Sequence, residues 1–334
     1  MTDDRAASVS ITDRVRAVSA GAPVVSAHFL GRSPIFVLGE QELLFAGEQG
    51  ERRVTVHGGA ILESAADGER IVTAGDDGKV IATDTDGAQQ VIATDTKKRW
   101  IDHVALGPDG AVAWSAGKTT FVRTGKGEER TFDAPSTVAG LAFAPKGFRL
   151  AIAHYNGVTL WFPNAAGATP EKLEWKGSHL GVAFSPDGKF LVTSMQEPML
   201  HGWRVADAKH MRMSGYSARV RSFGWTAGGG FLATSGSEQV ILWSYEGKDG
   251  PMGKQPKLLA PSPSRVAVVA CHPNQPIVAA GFSDGMVLLI RIDDGAEILA
   301  RRPDESPVTA LGWDASGVTL AFGAEGGEAG VLSL

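Results

Sequence analysis

Cysteine is almost missing from this chain. Cys271 stands alone among 334 residues, so no disulfide can close within it, and a reducing, cytoplasmic setting is the expectation. Long apolar runs are missing too. No stretch approaches the ~18 residues that a membrane-spanning helix requires, so no membrane association is expected. The opening residues, MTDDRAASVS, lack a basic segment followed by an apolar one, which argues against a secretory signal. They are expected to belong to a flexible leader over residues 1–12, ahead of a single domain over 13–334. Charge of one sign is also scarce. A formal net charge of −5 lacks the strong basic bias of a dedicated nucleic-acid binder, so no nucleic-acid partner is expected. The eight histidines form no H-E-x-x-H and no other paired spacing, so no metal site and no cofactor is indicated.

What the chain does have is turn chemistry. It holds 42 glycines and 17 prolines with 43% hydrophobic residues, a balance that suits a turn-rich all-β fold. The stretch from His179 to Trp203 is the clearest sample. Three short apolar runs, Leu180–Phe184, Phe190–Thr193 and Met199–Trp203, flank turns, the first being Ser185-Pro186-Asp187-Gly188. There Pro presets φ, Asp bonds the backbone beyond it and Gly takes the positive φ. Such runs read as antiparallel strands joined by hairpins. One three-stranded meander cannot cover both of its faces, so it needs neighbours of the same kind.

The neighbours are present. The last residue before the first turn falls at Phe29, Ser64, Leu106, Phe143, Phe184, Trp225, Cys271 and Trp313. The steps are 35, 42, 37, 41, 41, 46 and 42 residues, within the window for four-stranded propeller blades. Trp161, Trp203 and Trp243 close the third run of three units. The sequences VAFSPDGKFLVTS, GFLATSGSEQVILW and IVAAGFSDGMVLLI, with this period, resemble the WD40 repeat family over nearly the whole chain. The resemblance implies a ring of four-stranded blades, in which strands a, b and c are followed by an outer strand d. Eight blades are expected, with seven as the alternative if the irregular first unit is not a blade. The chain stops at the third strand of the last unit, and the alternating segment Arg14-Val15-Arg16-Ala17-Val18 is the natural missing fourth. Pairing the two would close the ring and remove exposed sheet edges.

Motifs for catalysis do not survive inspection. Gly281-Phe282-Ser283-Asp284-Gly285 has the G-x-S-x-G form of a nucleophile elbow, but it lies between two strands and no histidine follows it. Asp84-Thr85-Asp86-Gly87 and Asp293-Asp294-Gly295 are read as turns and not as calcium loops. The WD40 resemblance also implies a buried His, Asp, Ser/Thr and Trp network within each repeat. No unit carries the whole set, so apolar packing is expected to hold the blades. Trp114 sits where six aligned units have Val or Ala; it is expected to fill space beside a thin neighbour, the alternative being an exposed anchor. The glycine-rich loop Glu246–Pro256 is expected to be a mobile insertion.

In a propeller with these connections, the d–a and b–c loops share one rim, the face that the family usually turns to partner proteins. Reading those loops nominates Arg99, Trp100, Tyr155, His179 and Met195 as partner-binding residues. Tyr216, Arg219, Arg221, Arg265 and Phe282 complete the set. Aromatic and Arg side chains are the types enriched at interface hot spots. The expected function is a non-enzymatic scaffold, monomeric, that docks one or more proteins. The alternative is an enzyme or a small-molecule or metal binder at the central channel, with Asp102, His103, Arg221 and Arg265 as its candidates.

Overall fold

The computed structural model describes residues 9–48, 50–165 and 167–334, and among these it contains strands and three short 3-10 turns but no α-helix. The fold is a β-propeller. Its regular unit is seen in residues 179–214. There Phe190–Met195 pairs antiparallel with Met199–Arg204, which pairs with Lys209–Ser214. The inner strand of this pair, Phe190–Met195, is buried at every residue. In Lys209–Ser214 only Met211 and Met213 turn inward. That contrast follows from the sequence. A strand with neighbours on both faces is apolar throughout, whereas an outer strand keeps the period-two alternation of one wet face.

Backbone hydrogen bonding is continuous through seven sheets. Five have four strands, one gains a fifth and one has six. In the six-stranded sheet, Leu150–Trp161 and Glu171–Phe184 each occupy two strand positions. The first reverses at Asn156-Gly157, where both φ angles are positive, and His154 Nε2 meets Thr159 Oγ1 across that turn at 2.9 Å. The two halves of this sheet then face each other, with Ala151, Val158 and Leu160 packed against Phe184, Leu191 and Trp203. Strands of one flat sheet cannot touch in that way. The eight separate blades expected from the repeat are therefore not eight separate sheets. Hydrogen bonding gives seven, the fourth and fifth repeats being fused, while face-to-face packing divides the ring into eight apolar interfaces.

The seam lies where the chain's beginning meets its end. Val15–Ser19 pairs antiparallel with Glu328–Ser333, from Val15 opposite Leu332 to Ser19 opposite Glu328. Val18 is thereby buried in a cluster that joins Val24, Phe36 and Leu38 of the first unit to Ala321, Ala329 and Val331 of the last. The approach is close enough to require glycine at position 323, because a Cβ there would lie 2.4 Å from Val24 Cγ1. Upstream, Val9–Ser10 runs parallel to Ile298–Leu299 as a fifth strand, and Ile11 N donates to Leu299 O at 2.9 Å. Of the expected leader, residues 9–12 thus lie against the seventh unit, and residues 1–8 fall outside the described residues.

Two local expectations resolve differently. Trp114 is buried and stacks on Phe121 directly across the strand pair, with ring centroids 5.6 Å apart, so it fills space and is not an exposed anchor. The loop expected to be mobile is tied back onto the fifth unit, where Asp249 pairs with Arg204 at 3.0 Å and with Lys209 at 3.2 Å.

Deleting residues 1–19 removes the closing strand and exposes the apolar seam. The truncated chain should melt at least about 5 °C below the full chain, and thermal unfolding followed by circular dichroism checks this. Coincident melting curves would show that the closing strand does not hold the ring together.

Candidate functional site

The rim carrying the d–a and b–c loops is built by backbone that the strands hold in place. In the sixth and seventh units, Ala218 N donates to Gly236 O, Gly236 N donates to Val266 O and Ser283 N donates to Arg265 O. Each loop is thus stitched to the next. Gly236, at φ 93°, allows the approach, since a Cβ there would lie 3.0 Å from Ala218 O.

Four of the ten nominated residues do not reach this rim. His179 and Phe282 have no exposed surface, Met195 is 2% exposed and Tyr216 is 8% exposed. Of the apolar pair, Phe282 packs with Val240 and Val266 in a core between units, and Met195 is buried with Gly177 beside it. The polar pair has a different task. Tyr216 Oη receives the Trp243 indole N–H at 2.7 Å and lies 3.0 Å from Thr234 Oγ1, which donates to Ile241 O. His179 Nδ1 lies 2.7 Å from Thr193 Oγ1, beside the Trp203 ring. In the second unit His57 joins Asp77 and Thr73, each at 2.9 Å. These are the buried networks that the WD40 resemblance implies, reassembled from incomplete sets. No unit carries the whole set, as expected, and these partial networks add to the apolar packing expected to be the main hold on the blades. Sequence matching missed the sixth unit because a tyrosine stands in the histidine's place, and the spacing to Thr234 and Trp243 was the available signal.

The other six behave differently. Trp100 is 61% exposed and Tyr155 57% exposed, whereas the remaining described tyrosines, Tyr216 and Tyr245, are buried. Arg99 is held by Asp95, with Nε at 3.0 Å and Nη2 at 2.7 Å from one carboxylate oxygen. Arg219, Arg221 and Arg265 come together around a cavity of about 320 Å³ between the sixth and seventh units. Asp102 and His103 do not join them. Asp102 accepts from Gly117 N at 3.4 Å, and His103 Nδ1 lies 2.8 Å from Glu63 Oε2. Among the described residues no group of three or more His, Cys, Asp or Glu side chains is placed to hold a metal. Ser283, in the G-x-S-x-G match, accepts from Arg265 N at 3.2 Å and has no histidine beside it among its hydrogen-bond partners. Asp84 accepts from the backbone of Asp86 and Ala88, the work of a turn-forming residue.

No family model matches the chain, and no curated protein matches it in sequence. Its shape has clear counterparts among solved structures. The C-terminal WD40 domain of Sif2 superposes with a TM-score of 0.75 at 16% identity, covering 98% of this chain and 99% of that one. A computationally designed protein, Ika8, gives 0.76 at 18% identity over 95% and 98%. The WD40 repeats of RRP9 give 0.63 at 17% identity over 85% and 97%. The fold is therefore that of the WD40-repeat β-propellers.

Two measurements test the buried networks. Tyr216→Phe strands the Trp243 N–H and should cost about 1–3 kcal/mol in urea unfolding; an unchanged midpoint would show that the hydroxyl carries no load. The second concerns acid. Burial lowers the His201 pKa from 6.5 to about 3, with His179, His210 and Arg212 adding repulsion. As pH falls below 6.5, the unfolded chain takes up this proton before the folded one. Stability should be full above pH 6.5 and decline as pH drops toward about 3. Melting curves at successive pH values should show His201→Phe losing less stability over that window than the parent; equal losses would remove His201 from the explanation.

Proposed function

We propose that this protein is a non-enzymatic scaffold that docks protein partners on the rim formed by the d–a and b–c loops. The observation that carries this reading is the exposure of Trp100 and Tyr155 on that rim. Large aromatic side chains elsewhere are spent on packing, and an exposed pair costs hydrophobic free energy that a partner would recover by covering it. Arg99 is oriented beside Trp100 by Asp95 and adds a fixed, planar donor group. A rigid ring suits such work, because an interface held in place loses little freedom on binding.

The same reading favours a monomer working with protein partners in the cytoplasm. Cys271 supports a reducing setting, since burial pushes its thiol up to about 12, which leaves it unreactive. Among the described residues no helix is long and apolar enough to cross a membrane. The rim's interleaved acids, including Glu197, Glu238 and Asp284, favour a protein surface over a phosphate backbone.

The test is affinity purification from the native organism with two baits, the parent chain and the Trp100→Ala, Tyr155→Ala double variant. Both sites are exposed, so the variant should melt with the parent while losing the proteins that the parent retains. Recovery of the same proteins by both baits would discard this docking surface.

A further inference from the structure

The cavity between the sixth and seventh units is lined by three arginines. Several arginines here are answered locally, Arg53, Arg70, Arg99, Arg123, Arg130, Arg204, Arg291 and Arg301 each pairing with a carboxylate; what sets the next three apart is that they share one space. Arg219, Arg221 and Arg265 line one cavity, and none of them forms an ion pair among the described residues. Arg219 Nη1 donates to the neutral Gln196 Oε1 at 3.0 Å. The neighbouring Glu238 accepts from Ser217 Oγ at 2.8 Å, and that bond, with the more distant charge of Arg265, holds its carboxyl below the usual range without an ion pair among the described residues. Three arginines lining one space gather like charge there, and an anion placed among them would turn that repulsion into charge-assisted hydrogen bonds.

We infer that Arg219, Arg221 and Arg265 form a receptor pocket for one anionic side chain, a carboxylate or a phosphoryl group, presented by an acidic peptide segment of a protein partner. This rests on the scaffold reading, whose rim it shares. The pocket's frame suits the role. Arg265 and Ser283 are joined through both backbone and side chain, with Arg265 N 3.2 Å from Ser283 Oγ. Ser222 N donates to Ser235 Oγ at 3.0 Å, fixing the opposite wall. Two features favour a peptide over a nucleic acid. The space is a local, open-mouthed pocket of about 320 Å³ between two units and not a continuous basic groove. The whole chain is also net acidic, which opposes a polyanion but tolerates one short acidic segment.

The test uses the full chain and four fluorescein-labelled probes followed by anisotropy: hexaglutamate, a phosphoserine-containing hexapeptide, hexaglutamine and a thymidine hexanucleotide. An acidic peptide should bind at least about tenfold more tightly than hexaglutamine and weaken with added salt. Preference between the two acidic peptides identifies which oxyanion the pocket takes. Arg221→Ala, Arg265→Ala should lose at least about tenfold in that affinity, with melting temperature unchanged because both residues are exposed. Trp100→Ala, Tyr155→Ala should retain the peptide even if its native partners change, so failure of the aromatic surface and failure of the pocket are read separately. Equal binding of hexaglutamine, undiminished binding by the arginine variant, or tighter binding of the oligonucleotide would each overturn the assignment.

Discussion

A ring of sheets is stable only if it closes, and here closure depends on one five-residue strand drawn from the far end of the chain. Val15–Ser19 completes the last unit, and its Val18 enters the core shared with the first. Every other interface joins units that are consecutive in sequence and can form locally. This one joins residues more than three hundred positions apart, and Thr309 Oγ1 adds a hydrogen bond to Val24 O across it. The closure entropy of so long a loop is offset by satisfying two sheet edges at once and burying a continuous apolar seam. The extra parallel pairing of Val9–Ser10 fastens the same segment to the unit before.

Once the ring is closed, each repeat can lose some of its own stabilising groups. The second, fifth and sixth units each keep a different fraction of a buried polar network, built on His57, His179 and Tyr216. Isolated buried polar groups would be costly, but hydrogen bonds in an enclosed setting keep strand register while the apolar interfaces supply most of the free energy. The histidine ladder in the fifth unit carries a further cost. His201 lies 4.2 Å from the Trp175 ring and 5.4 Å from His210, and its imidazole is kept neutral by burial.

The sequence made the architecture readable because hairpin chemistry is local. Ser185–Gly188 and its relatives announce turns by residue type alone, and a fixed period converts them into a ring. The closing strand was legible for the same reason, since the last unit visibly lacked a partner. The fusion of two repeats at Asn156-Gly157 was not, because it depends on how one tight turn lets hydrogen bonding run on without a break. The rim was only partly legible. Loop position marks His179, Met195, Tyr216 and Phe282 as surface residues, yet tertiary packing turns all four inward. Trp100 and Tyr155 occupy comparable positions and stay exposed. That three arginines from adjacent loops share one cavity depends on the curvature of the ring, which no linear pattern records.

Native-state hydrogen exchange of the full chain addresses closure most directly. Amides of residues 15–19 should exchange as slowly as those of the buried strand Phe190–Met195, opening only when the whole molecule unfolds. Rapid exchange at residues 15–19 while the inner strands remain protected would show that the first segment rests on the ring without holding it shut.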